Sequence, residues 1–267
     1  MARRILGGAV LPAAPALLPA VSPRQPDAVG HRLERLRETS REAIRELAEA
    51  DVVVVFDTGP RGIHRRARAD LTGIGAPQVQ VELPVPSSLT AAATRVTQYP
   101  LVAADRLPLS AGVLVALVAD VVGEVPVIVV TVPERTEGPH LTHAGAGLVE
   151  AVRSTDVTGV VVSSGDLSAA LDEASPRYVV PGAEEWDREL IDSVEQQDVE
   201  TLYALGPARA REVHARSWPA LAAFQGATAA ARLRPVTASY HTPLGVGQLV
   251  ARFEPDQAPE PGQRFRR

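Results

Sequence analysis

The chain has 267 residues, of which 45% are hydrophobic, 22% charged and 4% aromatic, proportions that suit one large globular domain or two small ones. A net charge of −5 and an isoelectric point near 5.7 give no global attraction to nucleic acid or to an anionic membrane surface. Cysteine is absent, which excludes disulfides, zinc–thiolate sites, iron–sulfur clusters and thiol nucleophiles and fits a cytoplasmic setting.

Met1–Val21 has the arginines, apolar run and small residues of a signal peptide, but Pro12, Pro15 and Pro19 interrupt the run. The preferred reading is a first strand, Ile5–Leu11, followed by a Pro-rich loop. Asp27 caps a helix over about 28–50, whose stripe is Leu33, Leu36, Ala43, Ile44 and Leu47. Val52–Phe56 is continuous and β-branched, as a strand buried on both faces of a mainly parallel sheet requires. A Gly/Arg-rich loop is expected from Asp57 to about Gly75, carrying the basic cluster Arg61, His64, Arg65, Arg66 and Arg68. That cluster reads as a solvated face or, alternatively, as an anion site or interaction surface.

Val79–Val85 reads as a strand, and Ser88 as the cap of a short helix, Leu89–Val96. Leu109–Val122 is apolar nearly all round and reads as a buried helix; Pro126 then opens a strand, Val127–Val132. A helix over His143–Arg153 and a strand over Gly159–Ser163 follow. The strand runs into a Ser-Gly-Asp turn and then a helix starting at Leu167, with Asp166 either its cap or a pocket acid. Asp57 carries the same two readings, pocket acid or Asx turn. Glu184–Leu205 is helical with a break near Gln197–Asp198, and Ala208–Ala231 holds one or two helices interrupted at Pro219. Late strands fall at Val236–Tyr240 and Gly247–Phe253, and Glu254–Arg267 reads as a disordered tail. Strands alternate with helices, so the expected fold is α/β: one domain, 1–253, with a central mainly parallel or mixed sheet flanked by helices. No run approaches the roughly 18 apolar residues of a membrane span.

In such sheets ligands bind beyond the carboxyl ends of the strands. Ser164-Gly165-Asp166-Leu167-Ser168-Ala169 sits at one of these ends and resembles the "SGDLSH" element of the class III extradiol ring-cleavage dioxygenases (LigB type, β subunit) and Memo-like proteins. Ala9–Pro19 is similar to that family's opening "vPHpPLLvP", and Leu109–Gly112 to its "LDHG". Pro181–Asp187 and Ser239–Gly247 are similar to its later blocks. The resemblance implies a LigB/Memo-like fold and, in the family, Fe(II) held by two histidines and a carboxylate. It also places Ala13 and Thr58 at the two imidazole ligand positions, and Ala111 and Ala169 where other histidines assist. Alanine neither coordinates metal nor moves a proton, so a degenerate member without iron, a pseudoenzyme, is expected.

Six histidines could stand in. His140 and His143 lie three apart at a helix N-terminus, a spacing that permits metal binding but more often serves as a cap or loop contact. With Glu212 as carboxylate they form a weak alternative metal set. His64 and His241 are pocket candidates beside Asp57, Ser164, Asp166 and Ser168, whereas His31 and His214 read as surface residues. No nucleophile elbow and no Gly-rich phosphate loop is present; Gly145 and Gly147 lie inside a helix. The expected function is non-catalytic binding of a small molecule or partner in the remnant pocket, with no cofactor, as a homodimer or as a heteromer with a catalytic paralogue. The alternative is an Fe(II)-dependent dioxygenase or other oxidoreductase using relocated residues.

Overall fold

A computed structural model describes residues 5–23 and 26–256. In chain order, β1 (Ile5–Leu11) leads through the Pro-rich loop to α1 (Ala28–Arg45), then β2 (Val52–Thr58), β3 (Gly62–His64), β4 (Ala67–Asp70) and β5 (Gln80–Leu83). α2 (Ser87–Thr97), β6 (Leu101–Val102), α3 (Leu109–Val122), β7 (Val127–Val132), α4 (Gly138–Arg153) and β8 (Gly159–Ser164) follow. The last third holds α5 (Ala183–Gln196), α6 (Val199–Leu205), α7 (Pro207–Glu212), α8 (Trp218–Ala231), β9 (Leu233–His241) and β10 (Gln248–Pro255).

Eight strands form one mixed sheet in the order β6-β3-β7-β2-β8-β1-β10-β9, and β4 pairs with β5 apart from it. The centre, β7-β2-β8-β1, is parallel; β10 and β9 add antiparallel at one side. Alternation along a strand sends side chains to opposite faces. Val54 and Phe56 therefore pack into one core with α4 and α8, while Val53 and Val55 pack into another with α1 and α3. Helices cover both faces, so the central runs are apolar throughout rather than alternating. The α/β architecture, with a mixed sheet flanked by helices, is as the sequence predicts.

Strands β1 and β7 and helix α3 have the expected bounds, and Asp27 Oδ1 caps α1 by accepting from Gly30 N at 2.6 Å. The break in the long helix falls where expected, with Gln197 left-handed and Asp198 capping α6. Elsewhere the structure differs. The expected loop 57–75 contains β3 and β4; Pro86, not Ser88, precedes α2, without a side-chain cap; and α4 begins five residues early, at Gly138. Pro219 lies in the first turn of α8 and interrupts nothing, which suits a residue whose missing N–H would be unpaired there anyway. β10 runs to Pro255, with Glu254 opposite Arg234, so residues 254 and 255 are strand; the rest of the expected tail from 257 lies outside the described residues.

No helix starts at Leu167. Instead Leu167 N donates to Gly247 O at 2.7 Å, Ser168 N to Asp187 Oδ1 at 2.9 Å and Ala169 N to Val213 O at 3.1 Å. Tertiary acceptors take the donors that a helix would have used. Most of the basic cluster is also engaged: Arg66 forks onto Glu82, Arg68 lies 3.6 Å from Asp70, Arg61 stacks over Tyr99, and His64 is buried. Among the described residues no helix is long and apolar enough to cross a membrane.

Candidate functional site

The four parallel strands end in line, with Leu11 opposite Ser164, Phe56 opposite Ser163 and Thr58 opposite Val132. Beyond these ends lies a cavity of about 420 Å³, lined by Ala13, Asp57, Thr58, Ser110, Asp166 and Gln248 among others. Its walls include Pro15, Leu33, Leu109, Pro243 and Val246. A second cavity, of about 590 Å³, shares Ala169, Pro176, His214 and Arg216 with the first. Together they make one cleft at the position that strand ends favour.

Asp57 is buried at the end of β2, and its Oδ2 accepts from Ser110 Oγ in the first turn of α3. Burial pushes its carboxyl above the usual range, against the help of Ser110 and of the Thr58 backbone. Ser164 Oγ lies near enough to favour the ionised form but makes no hydrogen bond of good geometry. Asp166 Oδ1 accepts from Ala13 N at 3.1 Å. Its backbone is pinned by Ser217: Asp166 N donates to Ser217 Oγ at 2.9 Å, and Ser217 N to Asp166 O at 3.1 Å. The Asp166 carboxyl is pushed up to about 7, chiefly by burial and also by the charge of Asp57, while the Ala13 amide and Arg216 oppose the shift. The residue keeps a narrow opening to the cavity, but protein surrounds it densely enough for desolvation to win.

The loop that carries Ala13 is held by Arg37 of α1, whose buried guanidinium donates to Ala16 O and Ser22 O and pairs with Glu34. The segment between α7 and α8 crosses the strand ends. Thr58 Oγ1 donates to Arg216 O at 2.6 Å, and His214 sits in the left-handed region at φ 58° with its ring edge-on to Tyr178. His214 Nε2 is buried without a partner.

Of the expected pocket residues, Asp57 and Asp166 line the cavity, as do the substituted positions Ala13, Thr58 and Ala169. Ala111 is fully buried inside α3 and does not line it; its neighbour Ser110 does. Ser164 is buried beside the cavity, and Ser168 Oγ donates to Val213 O at 2.9 Å. His64 is buried against Thr131 Oγ1 at 3.2 Å, with burial lowering its pKa, and lines a different cavity near Leu107. His140 and His143 are exposed on α4, Glu212 is exposed and paired with Arg209 at 2.8 Å, and His241 bonds Ser239. These four are not among the residues lining the cleft. Burial and Arg35 lower the pKa of His241.

Ser110, His214, Arg216, Ser217 and Gln248 are site residues that the sequence reading missed. His214 reads as helical surface beside Glu212, but Pro219 marks a helix start and so signals that 213–217 is a connection. A two-histidine, one-carboxylate iron centre needs two imidazoles and a carboxylate converging on one point. Among the described residues no three His, Asp or Glu side chains converge in this way, and the cavity offers two carboxylates, hydroxyls, the Gln248 amide and one imidazole, His214, not two. The residues present do not fit that centre.

This fold and cleft place the chain among α/β proteins with a site at the carboxyl ends of a mixed sheet. The chain matches the family model "Catalytic LigB subunit of aromatic ring-opening dioxygenase" over residues 7–251, and it belongs to that family. Among solved structures it is similar to an uncharacterized protein, JW3007, from Escherichia coli K12, with a TM-score of 0.57 and 14% identity, covering 92% of this chain and 99% of that one. At that identity the likeness concerns the fold alone. No curated protein matches the chain.

Proposed function

We propose that this LigB-family chain binds a small molecule in its strand-end cleft without the family's ring-opening iron chemistry. One observation carries the reading: Ala13, Thr58 and Ala169, which stand where the resemblance puts metal or proton-handling histidines, face the same cavity as Asp57 and Asp166. A buried imidazole without its metal costs desolvation free energy, and alanine removes that cost while leaving room for a ligand. The cavity has the size and mostly apolar lining of a ligand site.

Three measurements test this. After Fe(II) loading under anaerobic conditions and desalting, metal analysis is expected to find far less than one iron per chain, and oxygen uptake with catechols is expected to match the buffer blank. One tightly held iron per chain, or catechol-dependent oxygen uptake, sinks the non-catalytic part. A thermal-shift screen with small aromatic molecules of positive, neutral and negative charge is expected to give stabilising hits. A screen without any hit sinks the binding part.

A further inference from the structure

We infer that the inner cavity takes an organic monocation, an ammonium group on an apolar body, with its charge seated between Asp57 and Asp166. This rests on the ligand-binding reading above and names the ligand class.

The cavity floor is rich in acceptors. Besides the two carboxylates, Gln248 is 5% exposed, lines the cavity and leaves Oε1 without a partner. A buried polar atom left unsatisfied is costly, so an unpartnered carbonyl on a cavity wall points to a donor brought by the ligand. An ammonium offers three donors and no acceptor; an alcohol offers one donor, and a carboxylate none.

Charge points the same way. The charged groups around Asp166 are Asp57 from β2 and Arg216 from the segment before α8, and His214 of that segment lines the same cavity. Arg216 is 72% exposed and lies 4.0 Å from Glu134, so solvent and a second carboxylate dilute its effect on the floor. With both aspartates ionised the floor lacks a cation. The free protein relieves this by holding a proton on Asp166, up to about pH 7. The balance on binding is then protonated protein plus ammonium giving complex plus the proton released from Asp166, to which any proton that burial holds on Asp57 adds. The apolar body rests on Pro15, Leu33, Leu109, Pro243 and Val246.

The test uses calorimetric titration of the whole protein with 2-phenylethylamine, 2-phenylethanol and 3-phenylpropanoate. At neutral pH the amine is expected to bind at least about tenfold tighter than the alcohol, the scale of one charge-assisted hydrogen bond, with the carboxylate weakest. Near pH 6, titrations in two buffers of different ionisation heat are expected to show about one proton released or more, the number falling as pH rises to 8.5. Asp166→Asn is expected to lose the amine preference while its melting temperature without ligand is unchanged or higher. Equal or tighter alcohol binding, or no proton release near pH 6, overturns the monocation. If only neutral or anionic compounds stabilise the protein in the screen above, the monocation falls and the ligand pocket stands; if no compound does, both fall.

Discussion

Asp166 shows how one residue sets the character of the site. Its folded pKa of about 7 lies above the ordinary 3.8, so the folded state holds the proton more tightly than the unfolded chain does. The cost of this acid therefore accumulates as pH rises from the ordinary value of 3.8 to the folded value near 7, is complete above it, and vanishes only below the ordinary value. Three pKa units correspond to roughly 4 kcal/mol, and the opening to the cavity reduces this to about 1–3 kcal/mol. Asn at this position keeps an oxygen for the Ala13 amide and cannot ionise. Asp166→Asn is expected to raise the melting temperature by several degrees at pH 8 and by less than half as much at pH 5, measured by scanning calorimetry. A lower melting temperature at pH 8 would mean that the charge is stabilised in the fold. The location of this acid was legible in the sequence, because a Gly-Asp after a β-branched run marks a strand end. Its partners were not: Ala13, Ser217 and Asp57 are 153, 51 and 109 positions away in the chain, and the parallel register of β1, β2 and β8 and the segment before α8 bring them together.

At the scale of elements, long apolar runs were readable and short paired pieces were not. β1, β7 and α3 carry enough periodic or β-branched signal to declare themselves. β3 and β4 are three and four residues long and exist through partners: Gly62 and Ile63 against Thr131 and Val130, and Ala67–Asp70 against Gln80–Leu83. Nothing local marks them. The helix expected after Asp166 fails for the converse reason, because distant carbonyls and Asp187 satisfy its backbone donors. Gly145 gains a meaning that motif reading could not supply. A Cβ there would come 1.8 Å from Ala223 O, and one on Gly226 would come 2.0 Å from Thr142 O. α4 and α8 thus cross backbone to backbone over the sheet. Gly145→Ala must push two buried helices apart, which is expected to cost about 3 kcal/mol or more, the upper end for overpacking. Urea denaturation measures it, and a loss below about 1 kcal/mol would show that the crossing yields easily.

For the whole molecule, the two cores on either face of the sheet are apolar, while several titratable groups are buried around the strand ends and the β9 side. Asp187, fully buried on α5, accepts from Ser168 N at 2.9 Å and Tyr240 Oη at 2.6 Å, and burial pushes it up to about 6. Asp57 is raised as well, whereas burial lowers His64 and His241. The signs differ. The raised aspartates favour the fold as pH falls, and the lowered histidines favour it as pH rises through the ordinary histidine range near 6.5. Below that range the two effects oppose each other. At pH 6.5 the histidines of the unfolded chain are still half protonated, and Asp57 is raised too, so the contribution of Asp166 is isolated by comparison with Asp166→Asn, which keeps the other groups. From pH 6.5 to 8 the folded protein releases a proton that the unfolded chain has already lost, and stability falls by about 0.8 kcal/mol for a group at about 7. The urea midpoint of the natural sequence is therefore expected to fall relative to that of Asp166→Asn across this interval, at constant slope. A gap between the two midpoints that does not widen with pH would place the controlling group elsewhere than at the floor of the cleft.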